Sequence, residues 1–229
     1  MMPAKPDRPA VLFDLDGTLT NPFLGISRSI QYALQTLGYP VPEAESLRAY
    51  IGPPLQVTFP KLLASDDAAL SAECLRLYRA RYADVGKFEN ELIPGIVEAV
   101  ASLADAGYFL AVATSKLETY SREIVEHFGL APFFDEIYGS QLDGSRADKG
   151  ELIAHIVKTE RLDPAKSVMI GDRLHDVVGA QKNGMKAIGV LWGFGDRTEL
   201  ENAGAAAIAE RPDALAGLVA GILTASAVN

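Results

Sequence analysis

Two aspartates stand two residues apart in Asp14-Leu15-Asp16-Gly17-Thr18, directly after the aliphatic run Ala10-Val11-Leu12-Phe13. Residues so spaced on extended backbone point the same way, so both carboxylates would share one cavity and repel each other unless a proton or cation came between them. A divalent metal answers that repulsion. Alone, the Asp-Gly step is also an ordinary turn that ends a strand, but three further groups point to a site. Thr114-Ser115 follow the run 109–113, and Ser115 with Glu118 has capping-box spacing. That spacing predicts a helix start whose free N–H groups, with the Thr114 hydroxyl, would cradle a phosphate or carboxylate. Asp148 and Glu151 repeat the spacing and put Lys149 in a first helical turn, where the macrodipole disfavours a cation, so its ammonium needs a carboxylate or a bound oxyanion. Finally, Gly171-Asp172-Arg173-Leu174-His175-Asp176 follow the run 167–170. The four-residue spacing predicts Asp172 and Asp176 on one face of a helix running toward Gly184, again calling for a cation.

The acid pairs and Thr114-Ser115 fall just after short aliphatic runs, and Lys149 opens the helix that follows another expected strand. Strands are expected at 10–13, 109–113, 135–138, 167–170, 186–191 and 205–209, alternating with amphipathic stretches. That pattern predicts an α/β fold with a Rossmann-like parallel sheet, its strands continuously apolar because helices cover both faces. Ligands of such sheets gather at the carboxyl ends of the strands, where all four groups lie. Nearly a hundred residues separate the first two strands, and they read as helical. Ile26, Ile30, Ala33, Leu34 and Leu37 share a helical face that stops at Gly38. Leu70, Cys74, Leu77 and Tyr78 share another that ends near Gly86, with Gly52-Pro53-Pro54 breaking the chain between them. An inserted α-helical domain is expected at 21–92, and an α/β core from 1–20 and 93–229. Pro94 is expected to open a helix that Gly107 closes.

Composition narrows the partners. With 21 basic against 30 acidic residues the net charge is −9, a field that repels polyanions, and no basic run offers a landing site for a nucleic acid polymer or an anionic membrane. The longest apolar run, 214–223, is shorter than the ~20 residues that span a bilayer. A lone cysteine, Cys74, permits no internal disulfide, and together with the absence of an apolar leader this predicts a cytoplasmic address, with monomer and dimer both left open. His127, His155 and His175 lack metal-ligand spacing, and Gly193-Phe194-Gly195 lacks the third glycine of a dinucleotide loop.

Taken together, Asp14-Leu15-Asp16-Gly17-Thr18, Thr114-Ser115, Lys149 and Gly171-Asp172 with Asp176 resemble the four signatures of the haloacid dehalogenase superfamily, over residues 11 to about 209. The helical insert resembles the small cap of its phosphoglycolate phosphatase-like branch, with Arg173 where many members carry Ser or Thr. The resemblance implies that Asp14 is a nucleophile forming an aspartyl phosphate and that Asp16 serves as acid and then base. It implies Mg²⁺ held by Asp14, Asp172 and the backbone carbonyl of Asp16. Thr114, Ser115 and Lys149 would hold phosphoryl oxygens, and Asp176 would support the metal or bind it through water. The implied substrate is a small phosphate ester, a phosphoglycolate-like acid ahead of a 5′-nucleotide. Arg28, Arg48 and Lys61 are candidates for a substrate carboxylate, and Phe23, Tyr50 and Phe59 for a base. Closure of the cap would hinge near Thr20 and Leu92. A sugar phosphomutase shares this chemistry. A phosphoacceptor signalling protein without turnover shares the Asp, Thr and Lys, but neither Asp16 nor the insert. A dehalogenase has no use for Asp16 or Asp172.

Overall fold

Parallel strands buried on both faces need aliphatic residues at every position, and the first one has them: Ala10, Val11, Leu12 and Phe13 are all inaccessible to solvent. The computed structural model of the chain describes residues 8–52 and 55–226. The N-terminal segment read for a leader therefore lies largely outside the described residues, as do Pro53 and Pro54 of the expected chain break. The elements run β1 (Ala10–Phe13), β2 (Thr20–Asn21), α1 (Phe23–Thr36), α2 (Leu55–Leu63), α3 (Ala68–Asp84), β3 (Glu91–Leu92), α4 (Ile96–Asp105) and β4 (Phe109–Leu117). There follow α5 (Glu118–His127), β5 (Glu136–Ser140), α6 (Lys149–Glu160), β6 (Ser167–Gly171), α7 (Leu174–Lys182), β7 (Lys186–Val190), α8 (Arg197–Asn202), β8 (Ala207–Ala209) and α9 (Leu215–Ser226).

Chain contacts divide these elements into two compact units, one built from Met1–Thr20 and Leu92–Asn229, the other from Asn21–Glu91. The first holds a six-stranded sheet in the order β5-β4-β1-β6-β7-β8, every pairing parallel. This is the α/β parallel sheet expected. Successive side chains of β1 serve opposite cores: Val11 and Phe13 pack with α4, α5 and α9 residues such as Ile96, Ile124 and Val219. Ala10 and Leu12 pack with α6 and α7 residues such as Ile153 and Val177, as the two-residue period of a strand requires. From β1 the sheet grows one way through β4 and β5 and then the other way through β6, β7 and β8. The crevice beside β1 is therefore the point where connection direction reverses, and loops diverge there at the strands' carboxyl ends.

The second unit packs α1 against α3 through Ile26, Ile30, Ala33 and Leu34 on one side and Cys74, Leu77, Tyr78 and Tyr82 on the other. Phe59 of α2 is fully buried, edge-on to Tyr78. Among the described residues no helix is long and apolar enough to cross a membrane.

Local differences from the sequence reading have physical causes. The helix expected at Ser115 does not start there, because β4 runs on through Leu117 and α5 begins at Glu118 without a side-chain cap. Pro94 does not open α4, which starts two residues later behind Gly95 in a left-handed conformation. Asp172 and Asp176 do not share a helix face, since α7 begins at Leu174 and leaves Asp172 in the preceding turn. The last strand is shorter than 205–209, covering Ala207–Ala209.

Candidate active site

Asp14 is the first residue beyond β1, and its N–H donates to the Ile170 carbonyl of β6 at 2.9 Å, which carries the parallel ladder one step further and fixes where the side chain emerges. The chain then turns at once. Leu15 and Leu19 are buried anchors, the Leu19 N–H donates to the Leu15 carbonyl at 2.9 Å, and Gly17 donates to the Thr20 carbonyl at 2.7 Å. Gly17 holds φ +84°, a left-handed conformation open to glycine without strain. Asp14 thus stands just before, and Asp16 at the start of, a short turn held by apolar anchors.

Lys149 meets Asp14 from the neighbouring loop. The Asp148 carboxylate accepts from the Glu151 N–H at 3.0 Å, the cap the sequence implied, and this sets Lys149 as the first residue of α6. Its side chain is 5% exposed, and its ammonium donates to the Ala113 carbonyl of β4 at 2.9 Å. The same ammonium lies 3.0 Å from Asp14 Oδ1 and 2.8 Å from Asp176 Oδ1. The anion that a lysine in this position needs is therefore a pair of carboxylates. Asp176, in the first turn of α7, accepts from the Arg173 N–H at 3.2 Å, and it sits against Gly171, where a Cβ would come within 2.2 Å of its carboxyl.

Asp14, Asp172 and Asp176 each offer one oxygen within 4.8 Å of the others, so these three, rather than the Asp16 carboxylate, form the acidic cluster. Asp16 turns to a different partner: its Oδ2 lies 2.8 Å from Lys116 Nζ, a pair with side chains 17% and 8% exposed. The sequence pattern assigns Lys116 no role, because a helix starting at Ser115 would carry it away from the strand ends, whereas α5 starts only at Glu118. β4 extends to Leu117 across an irregularity in its pairing with β5 between Ala113 and Leu117, and this stretch brings the Lys116 ammonium to Asp16. The signal was present as a lysine two places after a strand-end threonine. Thr114 is buried, its hydroxyl accepting from the Lys116 N–H at 3.3 Å, and the Ser115 hydroxyl donates to the Ala147 carbonyl at 3.0 Å.

Burial dominates the electrostatics. The Asp172 carboxyl is pushed well above the usual range, first by burial and then by the charges of Asp14 and Asp176, against a smaller opposing effect of the Phe194 N–H. Asp176 is pushed up to about 6 by burial, with Lys149 opposing. Burial also raises Asp16, with Lys116 opposing. Asp172 Oδ1, Asp16 Oδ1 and Thr18 Oγ1 are buried with no hydrogen-bond partner among the described residues. Three clustered carboxylates with hard oxygen donors, one carrying a buried unpartnered oxygen, fit a small divalent cation.

A stability prediction follows from the raised carboxyls. The metal-free folded protein binds more protons than the unfolded chain between the unfolded aspartate value and about 6, so this contribution to stability is full at low pH and is lost as pH rises through that window. In EDTA the unfolding temperature should fall between about pH 4 and pH 6, and MgCl₂ should restore it at the higher pH by occupying the cluster. Scanning fluorimetry with and without the metal checks this; profiles parallel at all pH values would contradict it.

A fold of this kind with acids, hydroxyl and lysine at four strand ends defines a hydrolase class, and comparison agrees. The chain belongs to the haloacid dehalogenase-like hydrolase family, whose model matches residues 11–190, and it is a phosphatase of that family. A 5′-nucleotidase of Pseudomonas aeruginosa is 46% identical over 192 residues, spanning 84% of this chain and 86% of the relative. The tyrosine-protein kinase PtkA of Mycobacterium tuberculosis is 42% identical over 185 residues, spanning 81% of this chain and 62% of the relative. The crystal structure of a predicted phosphatase from Clostridium acetobutylicum superimposes with TM-score 0.86 at 40% identity, over 95% of this chain and 99% of that one.

Proposed function

We propose that the protein is a Mg²⁺-dependent phosphomonoesterase of 5′-nucleotides that works through an aspartyl phosphate on Asp14. The observation that carries the reading is Lys149: a buried ammonium bound to two carboxylates and a strand-end carbonyl, beside the oxygen that would attack phosphorus. In this reading Asp14 attacks the phosphoryl group, dividing one displacement into two easier ones. Asp16 gives a proton to the departing alcohol oxygen and later takes one from the attacking water. Lys116, in contact with Asp16, holds that carboxyl in place. Lys149, the Thr114 hydroxyl and the Ser115 N–H stabilise the charge that builds on the phosphoryl oxygens. Asp14, Asp172 and the Asp16 backbone carbonyl would hold Mg²⁺, with Asp176 beside them. When bound, the ion supplies positive charge that lets an anionic nucleophile approach an anionic ester.

The preference for a nucleotide over a phosphoglycolate-like acid reverses the order drawn from sequence. Within the helical unit Arg28 lies 2.8 Å from Glu89, and Arg48 lies 3.4 Å from Glu45 with its guanidinium 5.1 Å over the Phe23 ring. Two of the three basic candidates for a substrate carboxylate already face carboxylates of their own. Phe59, a candidate to stack on a base, is core packing. These side chains leave the choice even, and the relative that shares 46% identity and bears the name 5′-nucleotidase tips it.

The test is phosphate release by the purified protein in MgCl₂ from nucleoside 5′-monophosphates, phosphoglycolate and hexose phosphates side by side, with substrate loss followed in parallel. Nucleoside monophosphates should be hydrolysed best, with phosphate equal to substrate consumed. Preference for phosphoglycolate would overturn the substrate assignment, and substrate loss without phosphate release would point to transfer onto another hydroxyl.

A further inference from the structure

Asp172 needs an explanation that its own turn does not supply. A fully buried carboxylate with a raised proton affinity and one oxygen without a partner would ordinarily relax by turning that oxygen toward a donor. Here the side chain is held on several sides. The Phe194 N–H donates to Asp172 Oδ2 at 2.8 Å, which leaves Oδ1 as the unpartnered oxygen. A Cβ at Gly193 would fall 2.3 Å from Asp172 Cβ and 2.4 Å from Oδ2, and one at Gly195 would fall 2.1 Å from the Asp172 carbonyl oxygen. From the other side a Cβ at Gly17 would fall 2.2 Å from Oδ2. The backbone at 193 and 195 lies outside the left-handed range, so glycine is required there by space and not by conformation. Trp192 ties the same segment to the turn after β1, its indole N–H donating to the Thr18 carbonyl at 3.0 Å.

We propose that the segment Trp192-Gly193-Phe194-Gly195, following β7, is a positioning element that clamps Asp172 by one oxygen so that the other is presented to the metal. This deepens the reading of the acidic cluster as a cation site and rests on it. The side-chain-free edges of Gly193 and Gly195 admit the aspartate, the Phe194 N–H fixes its rotation, and the Trp192 hydrogen bond holds the segment in register with the Asp14–Thr18 turn. Groups that orient a metal ligand in this way commonly change affinity by about 10- to 100-fold when lost.

The test is calorimetric titration of MgCl₂ into the full-length wild type, Gly193→Ala, Gly195→Ala and Gly217→Ala, the last being a helix glycine with open space around its Cβ position. Unfolding temperatures in EDTA are measured alongside. Gly193→Ala should bind Mg²⁺ at least about 10-fold more weakly, Gly195→Ala should weaken it too, and Gly217→Ala should match the wild type; without metal the two loop variants should unfold at a lower temperature than the wild type, because each added Cβ overlaps Asp172, and Gly217→Ala should not. Wild-type affinity in a folded Gly193→Ala protein would overturn the positioning role while leaving the metal reading intact. A wild type that binds no Mg²⁺ would overturn the metal reading and this inference with it. A measurement that needs no variant guards against misfolding. In the wild type the Phe194 amide should be protected from solvent exchange and its NMR resonance should shift on Mg²⁺ addition, and an unprotected, unresponsive amide would equally overturn the proposal.

Discussion

Asp14→Asn should lower turnover of every phosphomonoester by at least about 10⁴-fold, the scale seen when an enzyme nucleophile is removed. The expected loss is large because the change touches only one property. Asparagine keeps the shape at the end of β1 and the backbone bond to Ile170, and it removes the charge with which an oxygen could attack phosphorus. Folding should survive, since Lys149 retains Asp176 at 2.8 Å and the Ala113 carbonyl. Rapid quenching of the wild type during turnover, followed by mass spectrometry, should find a phosphoryl group on the peptide that contains Asp14, and the variant should carry none. Turnover within tenfold of wild type in a correctly folded variant would sink the assignment of Asp14 as nucleophile.

Lys149→Met should damage stability and activity together. Among the described residues the ammonium is the one cation in direct contact with both Asp14 and Asp176, and methionine fills its volume without its charge. Breaking a buried ion pair by removing one partner costs about 3 to 5 kcal/mol, because the charge left behind is uncompensated. Urea unfolding in EDTA at neutral pH should show that deficit. It should shrink toward about pH 5, where Asp172 and Asp176 take up protons and need no counter-ion, and it should also shrink in MgCl₂, where the metal substitutes for the missing charge. Turnover should fall by roughly 10²-fold or more even in excess metal, the scale for losing one preorganised donor to a developing oxyanion. Lys149→Arg should not rescue it: Lys149 Cγ lies so close to Gly179 that a Cβ there would sit 2.9 Å away, and a planar guanidinium is not an ammonium in a tight site. A Lys149→Met protein as stable as wild type at neutral pH without metal would contradict the electrostatic picture of the cluster.

Arg173, which stands where many members of the family carry Ser or Thr, has a structural partner: its Nε lies 2.8 Å from Glu199 Oε1, which also accepts from the Leu174 N–H at 2.8 Å. The pair ties the start of α7 to α8.

Much of the core unit was written locally. Every expected strand exists, and most were legible because a strand buried on both faces must be largely apolar and reads as an aliphatic run, as in β1; β5 at the sheet edge, Glu136–Ser140, is the exception. Asp14 and Asp172 could be placed at strand ends for the same reason, since a charged residue directly after such a run marks where the chain leaves the core, and Lys149 could be placed at a helix start from the Asp148 and Glu151 spacing. The errors were also local. Ser115 and Glu118 have the spacing of a cap, but the strand outcompetes the helix for two more residues through its pairing with β5, where Leu117 stands opposite Ser140. Lys116 was lost with that error. Gly193-Phe194-Gly195 carries no local signal beyond an incomplete dinucleotide loop, because the aspartate that needs the space is 22 residues from Phe194 in the chain and adjacent only in the fold.

Residue patterns by themselves determined which segments are strands or helices and which side chains emerge at their ends, because burial imposes a period that neighbouring residues carry. Only the tertiary structure decided that β1 lies between β4 and β6, that Lys149 belongs to Asp14 and Asp176 while Lys116 belongs to Asp16, and that Asp172 is gripped by a loop from beyond β7. Those choices are pairings between distant segments, set by the order of strands in the sheet and by which charges can be neutralised where water is excluded. No period along the chain records either.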